Sequence, residues 1–131
     1  MQKMKGLTLA LGVVLCAACL APNSGVDVAD ARPMAGKYSL AKTSSGSICV
    51  TGNEPMQFLC GATENATGVG WGDRFLGVQI DVPAKEFLLI DTLNDYVWVL
   101  SKREFQASPE AKRLRMTSVE EIWNYLGRHG V

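Results

Sequence analysis

The middle of the chain is a succession of short apolar segments separated by turn residues, and this pattern constrains the fold most. Between Gly36 and Ser101, several segments place apolar side chains at every second position, which is typical of half-buried strands. The predicted strands are 36–42, 47–51, 56–60, 76–82, 86–91 and 95–101. Such a series predicts a mainly β domain, either a small antiparallel meander, a sandwich or a partly closed β-barrel.

Two of these segments are apolar on both faces, namely 86–91 and 95–101. We expect them to form one hairpin that turns at 92–94 and is covered on both sides. The glycine-rich stretch 61–73 has no periodicity and is predicted to be a loop, with a short edge strand near 69–71.

The apolar period changes near the end of the chain. Ser108, Pro109 and Glu110 are typical of a helix start and predict a helix to about Met116. Ser118 and Glu121 form a capping-box pattern that opens a second helix. Its apolar residues share one face, so we expect helices within 108–129 to pack on the β-domain. These residues are Val119, Ile122, Trp123 and Leu126.

The first 20 residues have the three parts of a bacterial secretion signal. Lys3 and Lys5 precede an apolar run, and small residues follow up to Ala21. The run is shorter than the roughly 20 residues that a bilayer-spanning helix needs. We therefore expect export to the periplasm or outer membrane, with 1–20 as the signal, 21–33 as a flexible tether and 34–131 as a single domain.

The segment Cys16-Ala17-Ala18-Cys19 resembles a lipobox, the motif at which bacterial lipoproteins are cleaved and acylated. Cys19 would carry the lipid and attach the protein to a membrane, although Cys16 stands where that motif usually has leucine. The alternative is cleavage after a small-x-small pattern, at Ala21 or at 29–31, which would release a soluble protein.

The domain retains two cysteines, Cys49 and Cys60. In an oxidising compartment after export, such a pair is expected to form a disulfide. If the two cysteines lie opposite each other on neighbouring antiparallel strands, the hairpin is centred between Glu54 and Pro55.

Charge and composition argue against several classes of function. Without Lys3 and Lys5, 11 of the 13 basic side chains remain against 13 acidic ones, which indicates no nucleic-acid partner. The one histidine, His129, is next to the C-terminus, so neither a histidine-dependent catalytic triad nor a histidine-rich metal site is expected. Strand-end carboxylates are explained by turn chemistry. We predict no enzyme, catalytic residue, metal or cofactor.

Residues 87–102 resemble the last two barrel strands of the lipocalins, especially the bacterial outer-membrane lipoproteins of that family. The shared pattern is Asp-Tyr-x-Trp-x-Leu-Ser from Asp95 to Ser101, followed by the basic residue Lys102 and then a helix, and the likeness is strongest over residues 87–126. Gly36-Lys37-Tyr38 resembles the family's N-terminal Gly-x-Trp. Tyr38 and Lys102 stand where lipocalins stack a tryptophan and an arginine across the closed end of the barrel.

This resemblance implies a cup that binds an apolar small molecule such as a fatty acid or lysophospholipid. One face of the last strand would line it, with either Tyr96, Trp98 and Leu100 or Val97 and Val99. Trp71 would guard the mouth of this pocket or fold back onto the core. The chain is short for an eight-stranded barrel, so some strands of the family would be missing.

A second resemblance suggests a protein partner. The segment 35–41 followed by Cys49 is similar to the start of small periplasmic inhibitors of secreted metalloproteases. Those proteins insert their N-terminal segment into the protease cleft, a role that 20–33 would take here. A structural envelope lipoprotein without either activity is the third alternative.

Overall fold

The computed structural model describes residues 27–82 and 85–129. The fold is mainly β with a C-terminal helix, as predicted, but its two antiparallel sheets do not close into a barrel. In chain order the elements are β1 (Val28–Ala35), β2 (Tyr38–Thr43), β3 (Ile48–Gly52), a 3-10 turn (Met56–Phe58), α1 (Leu59–Ala62), β4 (Ala66–Trp71), β5 (Phe75–Ile80), β6 (Glu86–Asp91), β7 (Tyr96–Leu100), α2 (Lys102–Ala107), α3 (Pro109–Lys112), β8 (Thr117–Ser118) and α4 (Val119–His129).

The main core contains residues from both sheets. One sheet has the order β1-β2-β3 and the other β7-β6-β5-β4-β8. Leu40 of β2, Leu76 of β5 and Ile90 of β6 are all fully buried in this core. Alternation along each strand therefore directs every second side chain into one shared apolar layer.

The opposite face of the five-stranded sheet is also covered. Phe87 of β6 stacks on Phe105 of α2, with ring centroids 4.4 Å apart. We call this second apolar layer the outer cluster. It consists of Phe87, Leu89, Trp98, Leu100, Phe105 and Ala111, with Phe75, Leu114 and Met116 packed against it. The predicted coverage of both faces of β6 and β7 is thus confirmed.

The predicted strand 56–60 is wrong, because these residues form the 3-10 turn and the start of α1. The Cys49–Cys60 disulfide is present, but it joins β3 to α1 rather than two strands of a hairpin. In the sheet, Cys49 lies opposite Ala41 of β2. A five-residue apolar run fits a strand and a helical turn equally well, so its periodicity could not decide between them.

Thr63 explains why no strand pairs with the outer edge of β3. Its hydroxyl oxygen accepts a 2.7 Å hydrogen bond from the backbone N–H of Val50. The same hydroxyl lies 3.0 Å from the Val50 carbonyl and 2.7 Å from the Leu59 carbonyl, and it can donate to one of them at a time. One buried side chain thus supplies the hydrogen-bond acceptor that the outward-facing N–H of Val50 would otherwise need from another strand.

In the predicted loop 61–73, the short strand expected near 69–71 is part of the longer strand β4, which lies between β5 and β8 rather than at an edge. The glycines of β4 make room for residues 114–116, which cross the outer face of the sheet. A Cβ atom at Gly70 would lie 2.6 Å from the carbonyl oxygen of Arg115. Glycine within a strand therefore indicates close approach of another backbone here rather than a flexible loop.

Two further boundaries differ from the sequence predictions. Residues 28–33 of the predicted tether form part of β1, which pairs with β2, whereas residues 21–26 lie outside the described chain. The helix predicted over 108–116 ends at Lys112, and α2 precedes it. Ser101 and Glu104 cap α2 through reciprocal side-chain to backbone hydrogen bonds of 2.8 and 3.1 Å, a capping-box signal present in the sequence.

Helix α4 begins as predicted. The backbone N–H of Glu121 donates to the Ser118 hydroxyl at 3.2 Å. Val119, Trp123 and Leu126 are buried in the main core, and Ile122 packs against it. Within the described residues, no helix is long and apolar enough to cross a bilayer.

We expect Gly70→Ala to lower the free energy of unfolding by about 2 kcal/mol, because the new methyl group meets backbone that must shift. Gly72→Ala is the matched control, since its Cβ would meet only a Leu114 methyl group at 3.8 Å. Urea denaturation of both variants measures the difference. Equal stabilities would show that the crossing segment does not constrain Gly70.

We expect Thr63→Val to cost about 1–3 kcal/mol, because it leaves the buried N–H of Val50 without an acceptor. Thr63→Ser keeps the hydroxyl and should retain most of the stability. Thermal unfolding of the two variants, with the disulfide intact, separates the hydrogen bond from side-chain volume. A valine variant as stable as the wild type would contradict this role of Thr63.

Candidate functional site

An open groove of about 560 Å³ lies at one end of the domain. Four chain segments form it: the connection from β2 to β3, the connection from α1 to β4, the residues that follow β5, and the first turn of α4. Its lining consists of Lys42, Gly46, Ser47, Ile48, Glu64, Asn65, Ala66, Thr67, Val82, Val119 and Glu120. None of these residues was singled out from the sequence as a ligand-binding residue.

Hydroxyl groups fix the rim of the groove at the β2–β3 connection. The Thr43 and Ser47 hydroxyls are 2.8 Å apart, and the Ser47 N–H donates to the Thr43 hydroxyl at 3.2 Å. Gly46 has φ +96°, a conformation that favours glycine. The Ser44 N–H donates to the Asp27 carbonyl at 2.8 Å, so the described chain begins beside this rim.

The lining combines apolar and charged groups. Ile48, Ala66 and Val119 are largely buried beneath it, and Val82 is 60% exposed. Lys42 supplies one positive charge, and Glu64 and Glu120 supply two negative charges. The Lys42 ammonium nitrogen is 5.3 Å from the centre of the Trp123 ring, a cation–π contact that holds it near α4.

The residues predicted to line a cup are not in this groove. Trp98 and Leu100 belong to the outer cluster, beneath the helices, and Trp71 packs against the main core rather than standing at a pocket mouth. Tyr96 is 45% exposed and meets Trp98 edge-on. The alternative lining, Val97 and Val99, packs with the main core. Both faces of β7 are therefore occupied by protein side chains.

The segments that carry the lipocalin resemblance do meet at the other end of β2. The Tyr38 hydroxyl donates to Asp95 at 2.5 Å, and the Lys37 ammonium donates to the same carboxylate at 2.7 Å. Burial raises the pKa of Tyr38 well above its ordinary value, and the hydrogen bond to Asp95 and the charges of Asp95 and Asp91 raise it further. Lys102, by contrast, is exposed at the start of α2.

Asp91 anchors the turn between β6 and β7. It is only 3% exposed, and the Arg74 guanidinium donates to its two oxygens at 3.0 and 2.7 Å. Backbone N–H groups of Leu93 and Asn94 donate to it as well. Burial acts to raise the pKa of Asp91, but the bonds from Arg74 and the two backbone groups lower it below its ordinary value. This carboxylate is held as a charged structural anchor.

Asp81 is another of the strand-end carboxylates, and its surroundings are simple. Asp81 accepts a 3.2 Å hydrogen bond from Gln79. Among residues 27–82 and 85–129, no three histidine, cysteine or acidic side chains are grouped so that they could hold a metal ion. Cys19 lies outside the described chain.

Comparison of the chain with protein-family models, curated proteins and solved structures finds no match. Residues 28–33 of the segment that the inhibitor resemblance assigns to a protease cleft are paired in β1. The function therefore has to be argued from the groove and from the surface of the domain.

We expect the stability of the domain to fall as the pH falls below about 3.9, the ordinary pKa of an aspartic acid in an unfolded chain. The pKa of Asp91 is lower in the folded state, so the unfolded chain binds the proton first and is favoured in acid. Melting temperatures between pH 7 and pH 3 measure this loss.

Asp91→Asn removes the titrating group and its charged bond to Arg74. It should cost about 2 kcal/mol at neutral pH and reduce the acid dependence. Asp81→Asn is the control, because Asp81 is more exposed and accepts one neutral hydrogen bond. If both variants kept the wild-type acid profile, Asp91 would not be the group responsible.

Proposed function

We propose that this is an exported ligand-binding protein of the bacterial cell envelope, and that the groove takes a small amphipathic molecule such as a fatty acid or lysophospholipid. The groove itself is the observation that carries the proposal. Its volume of about 560 Å³ falls within the range of roughly 300–1,000 Å³ that ligand sites usually have. Binding would be non-catalytic.

The packing of the domain supports a ligand site at its end. The main core and the outer cluster fill both sides of the five-stranded sheet. An apolar chain therefore has more room against Ile48, Val82 and Val119 at the end of the domain than between the sheets. The proposed site is an external groove and not the interior cup expected from the lipocalin resemblance.

The charges of the lining favour a headgroup with both signs. Lys42 can pair with a phosphate or carboxylate, and Glu64 and Glu120 can pair with an ammonium group. A zwitterionic lysophospholipid satisfies both, whereas a fatty acid uses Lys42 alone. We therefore expect the lysophospholipid to bind more tightly of the two.

Two features support a location in the envelope. The Cys49–Cys60 disulfide fits an oxidising compartment. The described chain begins at Asp27, whose carbonyl is hydrogen-bonded at the rim of the groove. An acyl anchor on Cys19 would be at most about 28 Å along the chain from Asp27, so it would keep the groove close to the membrane surface.

The first test is lipid extraction and native mass spectrometry of the protein purified from the envelope, followed by titration with a fluorescent fatty acid and with lysophosphatidylcholine. We expect saturable binding. Val82→Glu places a charge on the apolar side of the groove and should weaken binding by about tenfold or more.

Leu93→Glu is the matched control, because Leu93 is 72% exposed but lies in the β6–β7 turn, beyond the opposite end of β2. It should bind like the wild type. Absence of saturable binding by the folded wild type would refute the proposed function. Equal weakening by both variants would place the ligand elsewhere.

A further inference from the structure

The two sheets have four outer edges, and three of them are closed to another strand. The edge of β3 is covered by the 3-10 turn and α1, and the N–H of Val50 donates to the Thr63 hydroxyl there. The edge strand β8 has only two residues. The third closed edge is β1. It contains Asp30, Arg32 and Pro33, and its pairing with β2 has two irregularities. Charges, proline and bulges are the usual devices that prevent edge-to-edge association.

The fourth edge, β7, has none of these protections. Its five residues, Tyr96–Leu100, include no charge and no proline, and they pair with β6 without a bulge. Within the described chain, no hydrogen bond reaches the backbone groups on its outer side. Of the helices that follow it, α2 packs against β6 and β7 and α3 against β5.

Side chains along β7 add two observations. Tyr96 is 45% exposed, although it is a large aromatic residue in a strand. Trp98, at the centre of the strand, is only 8% exposed, and its indole N–H is the one buried side-chain polar atom without a hydrogen-bond partner among the described residues.

We propose that β7 is a dimerisation strand that pairs antiparallel with β7 of a second copy of this chain. The two five-stranded sheets then form one continuous sheet about a twofold axis at Trp98. In this register Tyr96 lies opposite Leu100 of the second copy, and Val97 lies opposite Val99. A C2 interface is the commonest arrangement of soluble oligomers.

The sequence of β7 is complementary to itself, which favours a second copy over an unrelated strand. Trp98 faces Trp98, Val97 faces Val99 and Tyr96 faces Leu100, and apolar cross-strand pairs of this kind are stabilising. Just beyond the ends of the strand, Asp95 comes nearest to Ser101 of the second copy, so no like charges meet there. The apolar layers on both faces continue from one copy into the other.

Sedimentation velocity of the purified, disulfide-bonded protein over a range of concentrations tests the proposal. We expect a reversible monomer–dimer equilibrium. Tyr96→Lys places a charge on the pairing edge and should raise the dimer dissociation constant by about tenfold or more. Val28→Lys is the control, because Val28 is 44% exposed, much like Tyr96, but lies on β1.

Hydrogen exchange of the wild type gives a second test that needs no variant. Amides of residues 96–100 should become more protected as the protein concentration rises, while the protection of β1 stays constant. A wild type that remains monomeric at all concentrations would overturn the proposal, as would a dimer that Tyr96→Lys leaves intact. A monomer that binds an unrelated extended peptide along β7 would overturn it too.

Discussion

The structure depends on one constraint: the five-stranded sheet is apolar on both faces and must be covered twice. Residues of β6 alternate between Leu88 and Ile90 in the main core and Phe87 and Leu89 in the outer cluster. One face packs against the three-stranded sheet and the other against the helices that follow β7. A sheet cannot leave a large apolar face in water. The three-stranded sheet therefore covers one face of the five-stranded sheet, and α2 and α3 cover the other.

Covering the outer face brings a second backbone close to the sheet, and the glycines make this possible. Gly70 faces the backbone of Arg115, and Gly77 faces the side chains of Leu114, Phe105 and Met116. The glycine-rich composition that suggests a flexible loop is thus explained by close packing of a second chain segment against a strand. The β6–β7 turn is held by polar contacts instead. Asp91 accepts hydrogen bonds from Arg74, and Asp95 accepts one from Tyr38.

Sequence periodicity predicted most of the fold because the strands β2, β3, β5, β6 and β7 are long enough to show alternation or lie between clear turn signals. It failed at 56–60, where a short apolar run has no distinguishing period, and at β4 it found only the short strand near 69–71, because the glycines hide the rest. The disulfide was predicted from compartment and composition, but its predicted hairpin register was wrong, because Cys60 lies in α1 rather than in a strand. The groove could not be predicted, because its lining comes from segments that meet only in the folded chain.

Double coverage of the sheet also determines where binding can occur. A lipocalin-like cup requires one face of the last strand to remain free for a ligand, yet Trp98 is packed beneath the helices and Val97 lies in the main core. At its perimeter the domain presents the groove at one end and the edge of β7. The packing that stabilises the sheet on both faces thus favours binding at such surface features.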